Sequence, residues 1–280
     1  MKKLSLLFTT VLFFLTAINA QQLKTPAPSP AQTIKQDFGV GNIELSYSRP
    51  SLKGRKYFDE NSELAPAGKV WRTGANSATT LTFSEDVKIN GTDVKAGKYG
   101  FLTIPGKDEW VLIITKQTEV TNPNDYKQEE DVVRVKAKPA SMGMSIENFT
   151  MQFANITSTN CELHLMWGTT AVALPVSTDI DSKIMGQIDK LMKNDSRPYF
   201  SAASYYLNNN KDLNQALVWF DKAIEQNPDG YWIYYEKANC LVKLGKKAEA
   251  KSAAQKSLEL ATAGKDDAYI GRNKKLLSTL

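Results

Sequence analysis

The sequence predicts two domains in series, an antiparallel β-sandwich followed by a stack of α-helices. Three observations predict it. From Ile43 apolar and polar residues alternate, as a half-buried strand requires; after Val176 apolar residues recur at steps of three and four, as one helix face requires; and from Ala216 a set of small and aromatic residues returns after 34 positions. The composition permits this: 280 residues that are 42% hydrophobic and 23% charged can bury a core, which excludes disorder as the main state. A formal charge of +5, from 35 Lys and Arg against 30 Asp and Glu, is too small and too evenly spread for a nucleic-acid partner. One histidine and two cysteines exclude a histidine-rich metal centre, a four-cysteine zinc site and a disulfide framework within one chain.

The order of the first residues is that of a signal peptide: Lys2 and Lys3, an apolar run from Leu4 to Leu15, then Thr16, Ala17, Asn19 and Ala20. The run is shorter than the roughly 20 apolar residues that a membrane span needs. Cleavage is expected after Ala20, leaving an exported protein of the periplasm or cell envelope with no stable membrane span. Export would place Cys161 and Cys240 where a disulfide can persist, but they fall in different predicted domains, and two buried thiols are the expectation.

Residues 21–32 hold Pro26, Pro28 and Pro30 among small and polar residues and read as a tether. The sandwich is expected over residues 33–177. Its strands are predicted at Ile43 to Tyr47, Thr79 to Phe83, Val87 to Ile89, Tyr99 to Ile104, Trp110 to Thr115, Val132 to Val135, Ile146 to Phe153, Cys161 to Trp167 and Ala171 to Val176. Asn90 and Gly91 suit a tight turn, and no helix-length pattern separates the strands, so they pair antiparallel. A connecting helix is expected over residues 178–196, with Ile180, Ile184, Ile188, Leu191 and Met192 on its apolar face.

Ala216, Phe220, Ala223 and Pro228 carry the spacing of a second helix and its following turn, and Ala250 and Ala254 repeat it 34 residues after Ala216 and Phe220. Tyr234, Ala238 and Leu241 fill first-helix positions. The pattern resembles tetratricopeptide repeats: two of them, residues 197–264, closed by a capping helix over residues 265–280. Phe200, Ala203, Leu207 and Ala254 depart from the usual residues while preserving the phase.

Within the sandwich, Tyr47-Ser48-Arg49-Pro50, Gly54-Arg55, the run Gly68 to Asn76, Ala96 to Tyr99, Ile104-Pro105-Gly106 with Glu109-Trp110, and Asp131 to Val135 stand together. This combination resembles an exported bacterial family known as domain of unknown function 2911, over residues 29–176. The resemblance implies a domain boundary and an exported habitat, and it implies no chemistry. Asp59 to Ala67 departs from the family's usual shorter stretch.

Trp71, Arg72, Thr73 and Asn76 form the segment richest in chemistry. They could line a site for a small polar ligand, Arg72 pairing a carboxylate or phosphate and Trp71 stacking on a ring, with Arg49, Arg55 and Arg134 joining them. The alternative is that Arg72 bonds loop carbonyls and Trp71 fills the core. Among the repeats, Ser201, Tyr205, Asn208 and Asn209, then Trp232, Tyr235, Asn239, Val242 and Lys243 occupy groove-facing first-helix positions, suited to an extended protein segment; the alternative occupant is the sandwich itself. No G-x-S-x-G elbow, H-E-x-x-H helix, P-loop or dinucleotide motif is present, so no catalytic residue, metal or cofactor is assigned. The preferred function is an exported, non-catalytic adaptor. The competing function is an envelope enzyme acting on a carbohydrate or small anion through Arg72, Glu109 or His164.

Overall fold

The computed structural model describes residues 25–193 and 197–280. The signal-peptide reading of residues 1–20 therefore lies outside the described residues. So do residues 21–24 of the tether and 194–196 of the connecting segment. Two compact units divide between Thr178 and Asp179.

The first unit is an antiparallel sandwich. One sheet has six strands: β1 (Ala31–Phe38), β2 (Gly41–Ser48), β3 (Thr79–Phe83), β6 (Gly97–Ile104), β7 (Trp110–Thr115) and β8 (Asp131–Ala137), paired in that order. The other has four, in the order β5 (Thr92–Val94), β4 (Val87–Ile89), β10 (Asn160–Ser177) and β9 (Ala140–Ala154). The alternation read from the sequence sets the inner face: Ile43, Leu45 and Tyr47 of β2 are buried, as are Leu163, Leu165 and Trp167 of β10. Tyr47 reaches from one sheet to the other, its hydroxyl accepting from the Met151 backbone N–H at 2.9 Å. Asn90 and Gly91 turn β4 into β5 with φ of 48° and 86°, the positive pair that a two-residue hairpin requires.

β1 starts inside the expected tether, two residues before the predicted boundary. Its apolar content is Ala31, Ile34 and Phe38, too sparse for an alternating signal. Its register against β2, with Ile34 opposite Leu45, comes from backbone pairing at the sheet edge. The two strands predicted at Cys161 to Trp167 and Ala171 to Val176 are one strand, β10, whose pairing with β9 is irregular on either side of Gly168.

The second unit is helical: α1 (Asp181–Leu191), α2 (Tyr199–Asn208), α3 (Leu213–Gln226), α4 (Tyr231–Lys243), α5 (Lys247–Ala263) and α6 (Asp267–Leu277). Successive helices from α2 onward pack on one another, and α4 also touches both α2 and α6. Small residues permit this: Ala203, Ala216, Ala238, Ala250 and Ala254 are completely buried where the helices approach, with Phe220 filling the space between α2 and α3. Asp212 caps α3 by accepting from the Asn214 and Gln215 N–H groups, and Asp266 caps α6 through Tyr269. α6 is fastened by a buried polar chain, Asn273 Nδ2 donating to Ser257 Oγ at 2.8 Å and Ser257 Oγ to the Tyr231 carbonyl at 2.7 Å. No helix among the described residues is long and apolar enough to cross a membrane. Cys161 and Cys240 are both free and buried.

Candidate functional site

The structure distributes the predicted sandwich residues among separate structural roles. Trp71 is 3% exposed; it stacks on Trp167 at 5.7 Å, nearly parallel, and its indole N–H donates to the Gly74 carbonyl. Arg72 donates through Nη1 to the carbonyls of Asn76 and Thr121. Thr73 is completely buried against Thr103, while exposed Asn76 donates to the Ser29 carbonyl and Ser48 Oγ. Arg49 bonds Phe149 and Thr150, and Arg55 bonds the Leu52 and Ser51 carbonyls. Arg134 pairs with Asp131 at 2.7 Å and with the Tyr126 hydroxyl, whose pKa burial and Asp131 push up to about 12. Each guanidinium serves a different loop or strand. Arg72, Glu109 and His164 are likewise not united by shared partners: Glu109 pairs with Lys136 at 2.9 Å, and His164 Nε2 lies 2.7 Å from Glu162 Oε2. His164 and Asn155 hold the Glu162 carboxyl below its ordinary range.

A cleft of about 560 Å3 opens elsewhere in the sandwich, and of the predicted residues only Arg55 lines it. One wall is the loop after β2, where Lys53, Gly54 and Phe58 take positive φ. Phe58 anchors the loop by inserting edge-on against Trp110, at 4.5 Å, and also meets Trp71 and Trp167. Its neighbour Tyr57 lies over Gly168, and the Tyr57 hydroxyl accepts from the Thr169 N–H at 3.0 Å. At Gly168, φ is +54° and a Cβ would fall 1.9 Å from that hydroxyl, so glycine is required on both counts. Gly106 and Lys107 of the β6–β7 hairpin also line the cleft, as do Pro139 and Thr170. Arg55, Lys56 and Lys107 bring three positive charges against one carboxylate, Asp59, which lies 3.9 Å from Lys56. The sequence reading missed Tyr57, Phe58 and Lys107; aromatic residues between Gly54 and Gly68 were the available signal.

The groove-facing positions of the repeats behave differently. Tyr205 donates to Asp181 of α1 at 2.7 Å, and Lys243 bonds the Leu207 carbonyl at the end of α2, so both brace the stack. Asn208 is exposed. Trp232 packs edge-on against Tyr231 at 5.1 Å. Tyr235 remains half-exposed and meets Tyr269 of α6 perpendicularly at 5.6 Å. Beside them, burial pushes the Glu236 carboxyl above its ordinary range, against the opposing effects of Asn239 and Arg272. Arg272 lies 4.9 Å over the Tyr269 ring. Tyr269 and Arg272 were missed, although Tyr269 follows Tyr235 by 34 residues and so continues the repeat phase. The capping helix α6 therefore acts as the first helix of a further half repeat.

Comparison with known families matches residues 29–176 to the family described as protein of unknown function (DUF2911), and residues 219–252 to the tetratricopeptide repeat. Neither the curated proteins nor the solved structures contain a match to the chain. The matched sandwich spans more than half of the chain, which belongs to the DUF2911 family, with a tetratricopeptide repeat following that region.

Proposed function

We propose that this DUF2911 protein is an exported adaptor that holds an extended protein segment in its repeat groove while the sandwich engages a second ligand or scaffold. The observation that carries the reading is the Tyr235–Tyr269 pair. Two aromatic rings on successive first helices, half-exposed and beside Asn239, supply an apolar grip and a hydrogen-bonding amide on one face. Tetratricopeptide repeats are associated with protein interaction, which supports a polypeptide as the occupant.

The test is selection of random peptides displayed on phage against the full chain lacking residues 1–20, followed by titration of selected peptides. Binding is expected to weaken at least about tenfold in Tyr235→Ala and Asn239→Ala. Failure to select a peptide whose binding depends on Tyr235 would overturn the reading. The export half is tested separately: N-terminal sequencing of the protein recovered from a cell envelope fraction should begin at or near Gln21, whereas recovery only in the cytosol with Met1 retained would refute it.

A further inference from the structure

We propose that the cleft between the loop after β2 and the β6–β7 hairpin binds a carboxylate carried on a ring-sized body. The inference gives the sandwich half of the adaptor reading a ligand class, and it stands on different residues from the groove.

Three features support it. The first is size: about 560 Å3 lies within the range of small-molecule sites and exceeds what a bare inorganic anion fills. The second is the arrangement of charge. Arg55, from the loop after β2, and Lys107, from the β6–β7 hairpin, both line the cleft. Arg55 uses Nε and Nη2 to close its own loop; among the described residues its Nη1 has no hydrogen-bond partner and exposed Lys107 makes no ion pair. A guanidinium held in place by two of its nitrogens is oriented before the ligand arrives, which suits a planar carboxylate. The third is the apolar wall. Tyr57 and Pro139 offer ring surface in the same cleft, and Tyr57 is held by Gly168 and the Thr169 N–H. Such a wall binds a ring face and would add nothing for phosphate alone.

The loop itself points the same way. Lys53 and Phe58 are non-glycine residues held at φ of 48° and 56°, a conformation that persists where surrounding packing over-determines it. Phe58 supplies that packing against three tryptophans, so Arg55 and Lys56 are displayed on a rigid support and a ligand need order little.

Isothermal titration of the full chain lacking residues 1–20 tests this with four probes: glucuronate, benzoate, glucose and inorganic phosphate. Glucuronate or benzoate is expected to bind and glucose and phosphate to bind at least about tenfold more weakly; whichever acid binds identifies the ring as sugar or aromatic. Lys107→Glu, at an exposed position with no ion pair among the described residues, should reduce acid binding at least about tenfold, and Lys107→Arg should restore it. Binding unaffected by Lys107→Glu, equal binding of glucose, binding of phosphate as tightly as the acids, or no binding by either acid would each overturn the proposal. Peptide binding through Tyr235 should be unchanged in Lys107→Glu, which separates failure here from failure of the groove reading.

Discussion

Replacing Gly168 with alanine tests how the cleft wall is built. At φ of +54° a residue with a Cβ costs about 1 kcal/mol relative to glycine. The added carbon would lie 1.9 Å from the Tyr57 hydroxyl oxygen and 2.1 Å from Cζ, so the ring must leave. Displacement removes the Thr169 N–H to Tyr57 bond, worth about 1 kcal/mol, and forces repacking against Trp167, for which overpacking costs of about 1–3 kcal/mol are usual. The expected loss is roughly 3–5 kcal/mol. In a Tyr57→Ala background only the backbone contribution of about 1 kcal/mol should remain, giving a coupling of roughly 2–4 kcal/mol between the two positions. Urea unfolding followed by tryptophan fluorescence reports this, since Trp71, Trp110 and Trp167 lie in the sandwich core; far-UV circular dichroism follows the helical unit alongside. A Gly168→Ala loss below about 1 kcal/mol, or simple additivity with Tyr57→Ala, would refute the proposed contact.

Three further outcomes are expected. Arg72→Met removes the donor to the Asn76 and Thr121 carbonyls and should cost roughly 1–2 kcal/mol in the same unfolding assay while leaving titrations with whichever acid binds the cleft unchanged; a lost titration with unchanged stability would return Arg72 to a ligand site. Burial, with Glu162 nearby, pushes the Cys161 thiol up to about 11, so iodoacetamide at neutral pH should label it only in urea, as mass spectrometry would show; rapid native labelling would contradict its burial. The Glu162 carboxyl is held low by His164 and Asn155, so its contribution to folding is present above the ordinary carboxylate range and lost as pH falls through its depressed value. Carboxyl NMR should show it moving toward its ordinary value in His164→Ala, and an unmoved titration would refute the pairing.

The sandwich was legible wherever each strand carries its own inward stripe. Ile43, Leu45 and Tyr47, or Leu163, Leu165 and Trp167, declare a buried face at a spacing that only a strand satisfies. β1 was not legible because an edge strand is held by backbone pairing, and Ala31 to Phe38 contributes little to the core. The 34-residue interval was legible because close helix approach needs small residues at Ala216 and Ala250; the same interval linking Tyr235 to Tyr269 was hidden by the weaker pattern of α6. Chemical richness drew the site reading to one segment. Trp71 to Asn76 hold an indole, a guanidinium and an amide, yet these groups bond neighbouring segments. The cleft depends on contacts between Phe58, Trp110 and Trp167, residues far apart in sequence, and no local pattern declares such a meeting.

The two surfaces differ in what keeps them in shape, and this bears on how each can bind. In the cleft, adjacent residues do opposite tasks: Phe58 goes into the aromatic core and Tyr57 stays at the surface over Gly168, so the intervening backbone cannot shift without breaking one contact or the other. That arrangement favours a small ligand of fixed shape, because the wall is ordered in advance. In the groove, Tyr235 and Tyr269 belong to different helices, and their 5.6 Å spacing follows from how α4 and α6 lie against each other, through Ser257 and Asn273. Asn273→Ala removes the buried link to Ser257 and should loosen α6 and weaken Tyr235-dependent peptide binding together, while acid binding in the cleft persists. Equal loss of both activities would mean that the two surfaces share a support, contrary to the separate cores that hold them.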